Sequence, residues 1–160
     1  MNKSIPTSII IFGASGDLTQ RKLVPSFFNL FCKRKTPKQL NIIGCGNTPF
    51  TDETFRQHVR EGMEKFAGFK ISEEEWGLFS NNLYYHQGRY TDLADFKKLG
   101  EHLSEIEGVP ANRLFYMAIP PTIFPNIIDL LGLTGQLRED GGWRRVVVEK
   151  PFGTDLATAQ

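Results

Sequence analysis

A short glycine turn between a buried strand and an amphipathic helix constrains this chain more than any other feature of its sequence. The run Ile9-Ile10-Ile11-Phe12 is apolar and rich in β-branched residues, which is typical of a strand buried on both faces of a parallel sheet. Gly13 to Gly16 follow, and the segment from there to about Arg34 carries apolar residues at helical spacing: Leu23, Phe27, Leu30 and Phe31. Strand, tight turn and helix in this order predict the opening of an α/β fold.

The same alternation continues to the end of the chain. Apolar runs predict further strands at residues 40–45, 83–85, 114–119 and 145–148. Apolar residues at helical spacing predict helices within residues 55–66, 93–106 and 123–133, with an extra helical turn between residues 67 and 82. Alternating elements of this length need right-handed crossovers. We therefore predict an α/β fold, a Rossmann-type doubly wound parallel sheet covered on both faces, with residues 1–160 forming one NAD(P)-binding domain.

Composition argues against several classes of function. Nineteen basic and eighteen acidic residues give a formal net charge of +1, so no overall field favours nucleic acid or an anionic membrane. Cys32 and Cys45 are too few for a disulfide framework or a metal site. The first apolar run is too short for a signal peptide or a membrane span. We expect a soluble, cytoplasmic protein with free thiols, a small-molecule ligand and no metal.

The glycine turn is a candidate phosphate-binding site. Gly13, Ala14, Ser15 and Gly16 leave room for a pyrophosphate, and the N–H groups at the start of the next helix attract an anion. Asp17 and Gln20 have the spacing of a helix capping box, with Arg21 and Lys22 offsetting the acid. A tight turn without any ligand is the alternative, but the position after the first strand favours a dinucleotide. The pattern is G-x-x-G-D-L, not G-x-G-x-x-G, which implies a narrower family.

The end of the second strand should meet the adenosine ribose, where an acid favours NAD and an arginine accommodates the 2′-phosphate of NADP. Asn47 and Thr48 stand there, and neither carries a charge. Discrimination between the coenzymes is therefore expected to be weak unless Arg21 or Arg89 reaches the site. An ordinary turn that caps the next helix is an equal alternative for this segment.

The last predicted strand ends in a second candidate site. Lys150 follows Glu149 at the carboxyl edge of what we take to be a central strand, where it can bond a sugar hydroxyl, a phosphate or the nicotinamide carboxamide. A solvated Lys150 paired with an acid, before a strand-ending Pro151, is the alternative. Pro120 and Pro121 either wall the nicotinamide pocket or simply end a strand. We nominate no catalytic histidine, since surface or capping roles are expected for the three in the chain: His58, His86 and His102.

Taken together, these motifs resemble the glucose-6-phosphate dehydrogenase family. The family shares the G-A-S-G-D-L turn at residues 13–18, the basic stretch and proline at 21–25, the N-R-L-F-Y segment leading to a proline pair at 112–121, and E-K-P-F-G at 149–153. The resemblance implies that Lys150 contacts both NADP and glucose 6-phosphate, and that NADP is bound by the residues of the turn: Gly13, Ala14, Ser15, Gly16, Asp17, Leu18, Thr19 and Gln20. The arginine of the family falls at Asn47 here, so NAD is a possible second coenzyme.

The resemblance also implies an activity. Glucose 6-phosphate would be oxidised to 6-phosphogluconolactone with hydride transfer to NADP, the first step of the pentose phosphate pathway, in a homo-oligomeric full-length enzyme. The family's sugar-phosphate motif and its general-base histidine come later than Gln160. The resemblance therefore implies a truncated protein that binds coenzyme without turnover. The alternatives are another sugar dehydrogenase with an E-K-P motif and a non-catalytic nucleotide-binding module.

Overall fold

The computed structural model describes residues 4–66, 68, 70–108 and 110–149. A five-stranded, all-parallel sheet in the order β3-β2-β1-β4-β5 forms its centre. The strands are β1 (Thr7–Phe12), β2 (Leu40–Gly46), β3 (Leu83–Gln87), β4 (Asn112–Met117) and β5 (Arg144–Val148). Five α-helices connect them: α1 (Val24–Cys32), α2 (Asp52–Phe66), α3 (Glu73–Ser80), α4 (Leu93–Glu107) and α5 (Phe124–Leu133).

Helices cover both faces of the sheet, because successive side chains of a strand point to opposite faces. Ile11 of β1 lies in a core built with α1, α2 and α3, whose largest buried members include Phe55 and Phe79. Ile10 and Phe12 lie in a second core, built with α4 and α5. The predicted doubly wound α/β fold is confirmed.

The chain reverses its direction of winding at β1, which pairs with β2 on one side and β4 on the other. In open α/β sheets, ligands bind outside the carboxyl ends of the strands at this reversal. The glycine turn follows β1, and therefore lies at the position where such a fold binds its ligand.

The first helix differs from its prediction. A π-helical segment, Thr19–Leu23, precedes α1. The buried face of α1 is centred on Val24 and Phe28, whereas Leu30, which was predicted to face the core, is 39% exposed. An α-helix turns by about 100° per residue, so Leu30 lies away from the side that carries Val24 and Phe28.

Two further predictions need correction. The segment expected to hold one helical turn contains a two-turn helix, α3, capped by the Ser72 hydroxyl, which accepts a hydrogen bond from the Glu75 N–H. The strand that ends before Glu149 was expected to be central, but β5 is the edge strand of the described sheet. Within the described residues, no helix is long and apolar enough to cross a membrane.

Candidate functional site

The glycine turn is fixed to the neighbouring strand by its first two backbone N–H groups. The Gly13 N–H donates to the Cys45 carbonyl at 3.1 Å and to the Tyr90 hydroxyl at 2.7 Å, and the Ala14 N–H donates to the same carbonyl at 3.2 Å. The Tyr90 hydroxyl in turn donates to the Cys45 carbonyl at 2.9 Å. Burial raises the pKa of Tyr90, which keeps this hydroxyl protonated. The start of the turn is therefore set by the protein itself.

Gly13 also lies unusually close to the end of β4. Its φ is +84°, and a Cβ atom built on it would lie 2.2 Å from the Ala118 carbonyl oxygen and 2.8 Å from Cγ2 of Ile119. No side chain fits there. The glycine requirement at this position thus arises from packing within the fold as well as from any ligand.

The second half of the turn has the features of an anion site. The Gly16 N–H donates to the Gly13 carbonyl at 3.0 Å, while Gly16 and Asp17 are exposed. Asp17 and Leu18 are the first helical residues, and the first N–H groups of a helix have no acceptors inside it. In the described part of the chain, the Ser15 N–H has no acceptor either. These groups and the helix dipole favour a bound anion.

The side chains of three residues predicted to bind the coenzyme contact other parts of the protein. Ala14 is fully buried in the core beneath the turn. Thr19 is also buried, and its hydroxyl donates to the Gly13 carbonyl at 3.2 Å. Gln20 extends towards α2, where its Nε2 donates to the His58 carbonyl at 2.9 Å.

The predicted capping box is wrong. Asp17 is itself helical, so its carboxylate cannot accept from the N–H groups that follow in the way a cap does. It pairs with Arg21 at 3.3 Å, an i,i+4 ion pair in which both side chains are at least half exposed. The predicted charge compensation by Arg21 is confirmed.

The segment after β2 contacts the glycine turn. The Thr48 hydroxyl donates to the Ser15 hydroxyl at 3.1 Å, and Asn47 beside it is exposed. The Tyr85 hydroxyl donates to the Thr48 carbonyl at 2.8 Å, and burial raises the pKa of Tyr85 to about 12. Hydrogen bonds to Ser15 and from Tyr85 therefore hold Thr48 in place. The glycine turn and the segment after β2 together form one surface.

Neither arginine considered for the ribose is free of other partners. The Arg21 guanidinium, besides pairing with Asp17, lies 4.2 Å from the centre of the Phe66 ring. Arg89 pairs with Asp92 and Asp95, and its backbone N–H donates to Asp95 at 2.9 Å. That N–H bond is the main reason why the pKa of Asp95 is lowered.

A cleft opens on the other side of the turn, between Leu18 and the carboxyl ends of β4 and β5. Its lining is mostly apolar: Leu18, Met117, Ala118, Ile119, Pro120, Pro121, Phe124 and Glu149. Tyr116 lies beside this cleft, and its hydroxyl donates to Glu149. Burial and the Glu149 carboxylate raise the pKa of Tyr116 to about 12. Lys150 and Pro151, the other candidates of this segment, lie outside the described residues.

The sequence analysis missed two residues at the turn. Tyr90 carries no motif and approaches Gly13 only because β3 and β1 lie in one sheet. His58 was expected to be a surface or capping residue, yet its Nε2 lies 3.4 Å from the Ser15 carbonyl oxygen. Helical spacing does place His58 one position before the buried Val59, at the edge of the buried face, but it does not show what lies opposite.

The family model and curated relatives that match this chain are of glucose-6-phosphate dehydrogenases. Residues 10–160 match the family model described as "Glucose-6-phosphate dehydrogenase, NAD binding domain". The chain is 39% identical over 155 residues to glucose-6-phosphate 1-dehydrogenase of Aggregatibacter actinomycetemcomitans, covering 95% of this chain and 31% of the relative. The chain thus spans about a third of the length of the curated relatives that it matches.

Solved structures of glucose-6-phosphate dehydrogenases also match nearly the whole chain, over about a third of their own length. A glucose-6-phosphate dehydrogenase in complex with its substrate glucose-6-phosphate matches 99% of the chain with a TM-score of 0.81 and 34% identity, over 34% of the solved chain. Glucose-6-phosphate 1-dehydrogenase from Mycobacterium avium matches 96% of the chain with a TM-score of 0.83 and 25% identity, over 32% of the solved chain.

Proposed function

This chain belongs to the glucose-6-phosphate dehydrogenase family, and we propose that it supplies the coenzyme-binding part of an enzyme that oxidises glucose 6-phosphate with NADP. The observation that carries the proposal is the glycine turn at the reversal point of the sheet. It combines exposed glycine backbone, N–H groups without acceptors and the positive end of a helix.

In this proposal, the three parts of the dinucleotide lie along the carboxyl edge of the sheet, with the pyrophosphate between the other two. The pyrophosphate binds the backbone of Ser15, Gly16, Asp17 and Leu18. The adenosine ribose lies against the Ser15 and Thr48 hydroxyls, with Asn47 beside them. The nicotinamide enters the cleft that Leu18 and Glu149 line on the other side of the turn. Bound NADP supplies the hydride acceptor.

The remaining predicted residues have supporting roles in this proposal. Four of them stabilise the turn through packing and hydrogen bonds and make no side-chain contact with the coenzyme: Gly13, Ala14, Thr19 and Gln20. Lys150 follows Glu149 in the sequence, and we propose that it contacts both coenzyme and sugar phosphate. A cytoplasmic location and a homo-oligomeric full-length enzyme belong to the same proposal. The free thiols of Cys32 and Cys45 are consistent with a reducing compartment.

Titration calorimetry of the chain with NADP and with NAD tests the proposal. The informative variant is Gly16→Asp, because Gly16 is exposed and a Cβ there would meet only the Gly13 carbonyl oxygen, at 3.2 Å. A carboxylate at this position repels the pyrophosphate. We expect affinity for both coenzymes to fall by about tenfold or more, as an unfavourable charge contact costs on the order of 1–3 kcal/mol.

Gly77→Asp is the matched control. Gly77 lies in α3, and no atom lies within 4 Å of a Cβ built there. This variant should bind both coenzymes like the parent chain. If the folded parent binds neither coenzyme, or if the two variants bind equally, the proposed site is wrong.

A further inference from the structure

His58 on α2 has its ring fixed beside the glycine turn. Its Nε2 lies 3.4 Å from the Ser15 carbonyl oxygen, and its ring packs on Phe50 with 4.8 Å between ring centroids. The His58 carbonyl accepts the hydrogen bond from Gln20, which ties this part of α2 to the start of the first helix. The residue is half-buried.

Polar side chains from two other elements lie beside Ser15, one near its hydroxyl and one near its carbonyl oxygen. Ser15 comes from the glycine turn, Thr48 from the segment after β2, and His58 from α2. The Thr48 hydroxyl donates to Ser15 at 3.1 Å, which leaves the Ser15 hydroxyl proton free to bond another acceptor. A Rossmann fold binds the 2′ position of the adenosine ribose at the end of its second strand. The cluster lies at that place.

A 2′-phosphate bound there requires a cation, and residues 47–51 contain none. The described arginines nearest in sequence to the turn and to the end of β2 are engaged elsewhere. Arg21 pairs with Asp17, and Arg56 donates to the Leu83 carbonyl at 2.8 Å. His58 can supply the charge, because both ring nitrogens of an imidazolium are donors.

We propose that His58 is a specificity-determining residue, whose imidazolium binds the 2′-phosphate of NADP in place of an arginine at the end of the second strand. The inference rests on the proposed function, since it assigns a role within the same coenzyme site. It makes the preference for NADP over NAD depend on pH, because histidine is the side chain that ordinarily changes charge between pH 5 and 8.

Few other charged groups face His58. The π-helical segment packed against α2 carries Arg21, which pairs with Asp17, and the exposed Lys22, and the segment after β2 is uncharged until Asp52. On α2 itself, Glu61 lies one turn away and accepts a hydrogen bond from Gln57 at 3.0 Å. Asp52 accepts from the Tyr85 N–H at 2.7 Å.

The test compares dissociation constants for NADP and NAD at about pH 6.5 and about pH 8.5. In the parent chain, the preference for NADP should be about tenfold greater at the lower pH, which corresponds to one charge-assisted hydrogen bond. His58→Gln should abolish this change and leave NAD affinity within about twofold of the parent value. His58→Arg should restore a preference for NADP at both pH values.

His102→Gln is the matched control, because His102 contacts His86 on the opposite face of the sheet and not the turn. It should keep the pH dependence of the parent. Thermal unfolding of each variant establishes that it is folded. The inference is overturned if His58→Gln keeps the parent's coenzyme ratio at both pH values, or if it weakens NAD and NADP equally. Failure of the folded parent to bind either coenzyme would overturn the proposed function as well.

Discussion

Replacing Gly13 by alanine should destabilise the fold even when no coenzyme is present. The backbone φ of +84° lies in the left-handed region, which costs a residue with a Cβ about 1–2 kcal/mol. The new methyl carbon would lie 2.2 Å from the Ala118 carbonyl oxygen and 2.9 Å from its carbon. Both are backbone atoms of the segment after β4, so they cannot move aside as a flexible side chain would. Such overpacking costs a further 1–3 kcal/mol, typically.

The two costs together give a loss of about 3 kcal/mol in the free energy of unfolding. For a chain of this size, about 3 kcal/mol corresponds to a fall of about 6–12 °C in Tm. Urea denaturation followed by circular dichroism measures the free energy, and a thermal scan measures Tm. Both experiments use coenzyme-free protein, so that the result reports on packing alone.

Two other glycines provide controls for this experiment. Gly16→Ala places its Cβ 3.2 Å from the Gly13 carbonyl oxygen, so it should cost less than about 1 kcal/mol. Gly77→Ala lies in a helix with open space around the new methyl group, and should stabilise the chain by about 0.5–1 kcal/mol. If Gly13→Ala unfolds within about 0.5 kcal/mol of the parent, the close approach to β4 is not a structural constraint and our reasoning is wrong.

Three further predictions concern other parts of the chain. Arg34 has a φ of 55° just beyond α1, so Arg34→Gly should raise the free energy of unfolding in urea by about 0.5–1 kcal/mol, and a decrease would contradict this. Arg113→Leu leaves the carboxylate of Glu107, whose side chain is 2% exposed, without its partner at 2.7 Å, and should cost about 3–5 kcal/mol. Adding Glu107→Leu should recover most of that loss in a double-mutant cycle. Burial and the neighbouring His102 lower the pKa of His86, so its neutral form stabilises the fold above about pH 6.5. This contribution is lost as the pH falls below that value, and urea titrations of His86→Phe should show a flatter decline from pH 7 to 5 than the parent.

The requirement for glycine at position 13 changes how the turn is to be studied. A variant at Gly13 that fails to bind coenzyme would be ambiguous, since the fold would be perturbed as well. Gly16 has this problem to a much smaller extent, because a Cβ there would contact only the Gly13 carbonyl oxygen, at 3.2 Å. The chemistry of the turn is therefore best tested at its second glycine, and the packing at its first.

Most of the fold followed from local patterns. The apolar run before Gly13 and the helical spacing of Phe55, Val59 and Met63 correspond to β1 and to the fully buried face of α2. These patterns are reliable because each depends only on which side of its own element is buried. The prediction of two coenzyme segments, the glycine turn and the end of β2, followed from the general rule that ligands bind at the carboxyl ends of parallel strands, and Thr48 and Ser15 are indeed in contact there.

The parts that failed depend on contacts between distant residues or on which face of a helix packs against the core. Leu30 has helical spacing from Leu23 and Phe27, but the buried face of α1 is centred on Val24 and Phe28. Gln20 has the spacing of a capping residue, but its side chain donates a hydrogen bond to the His58 carbonyl of α2, 38 positions away in the sequence. β5 reads as a buried strand, but its place at the edge of the described sheet is set by the order in which the strands pair.

The sequence by itself determined the α/β alternation, the glycine turn and the resemblance to one enzyme family, because each of these depends on residues that are close together in the sequence. Only the tertiary structure decided which groups surround the turn. Tyr90 and His58 reach Gly13 and Ser15 from 77 and 43 positions away, and no local pattern marks either of them. The physical reason is that a hydrogen bond depends on distance in space, and the order of strands in the sheet sets that distance.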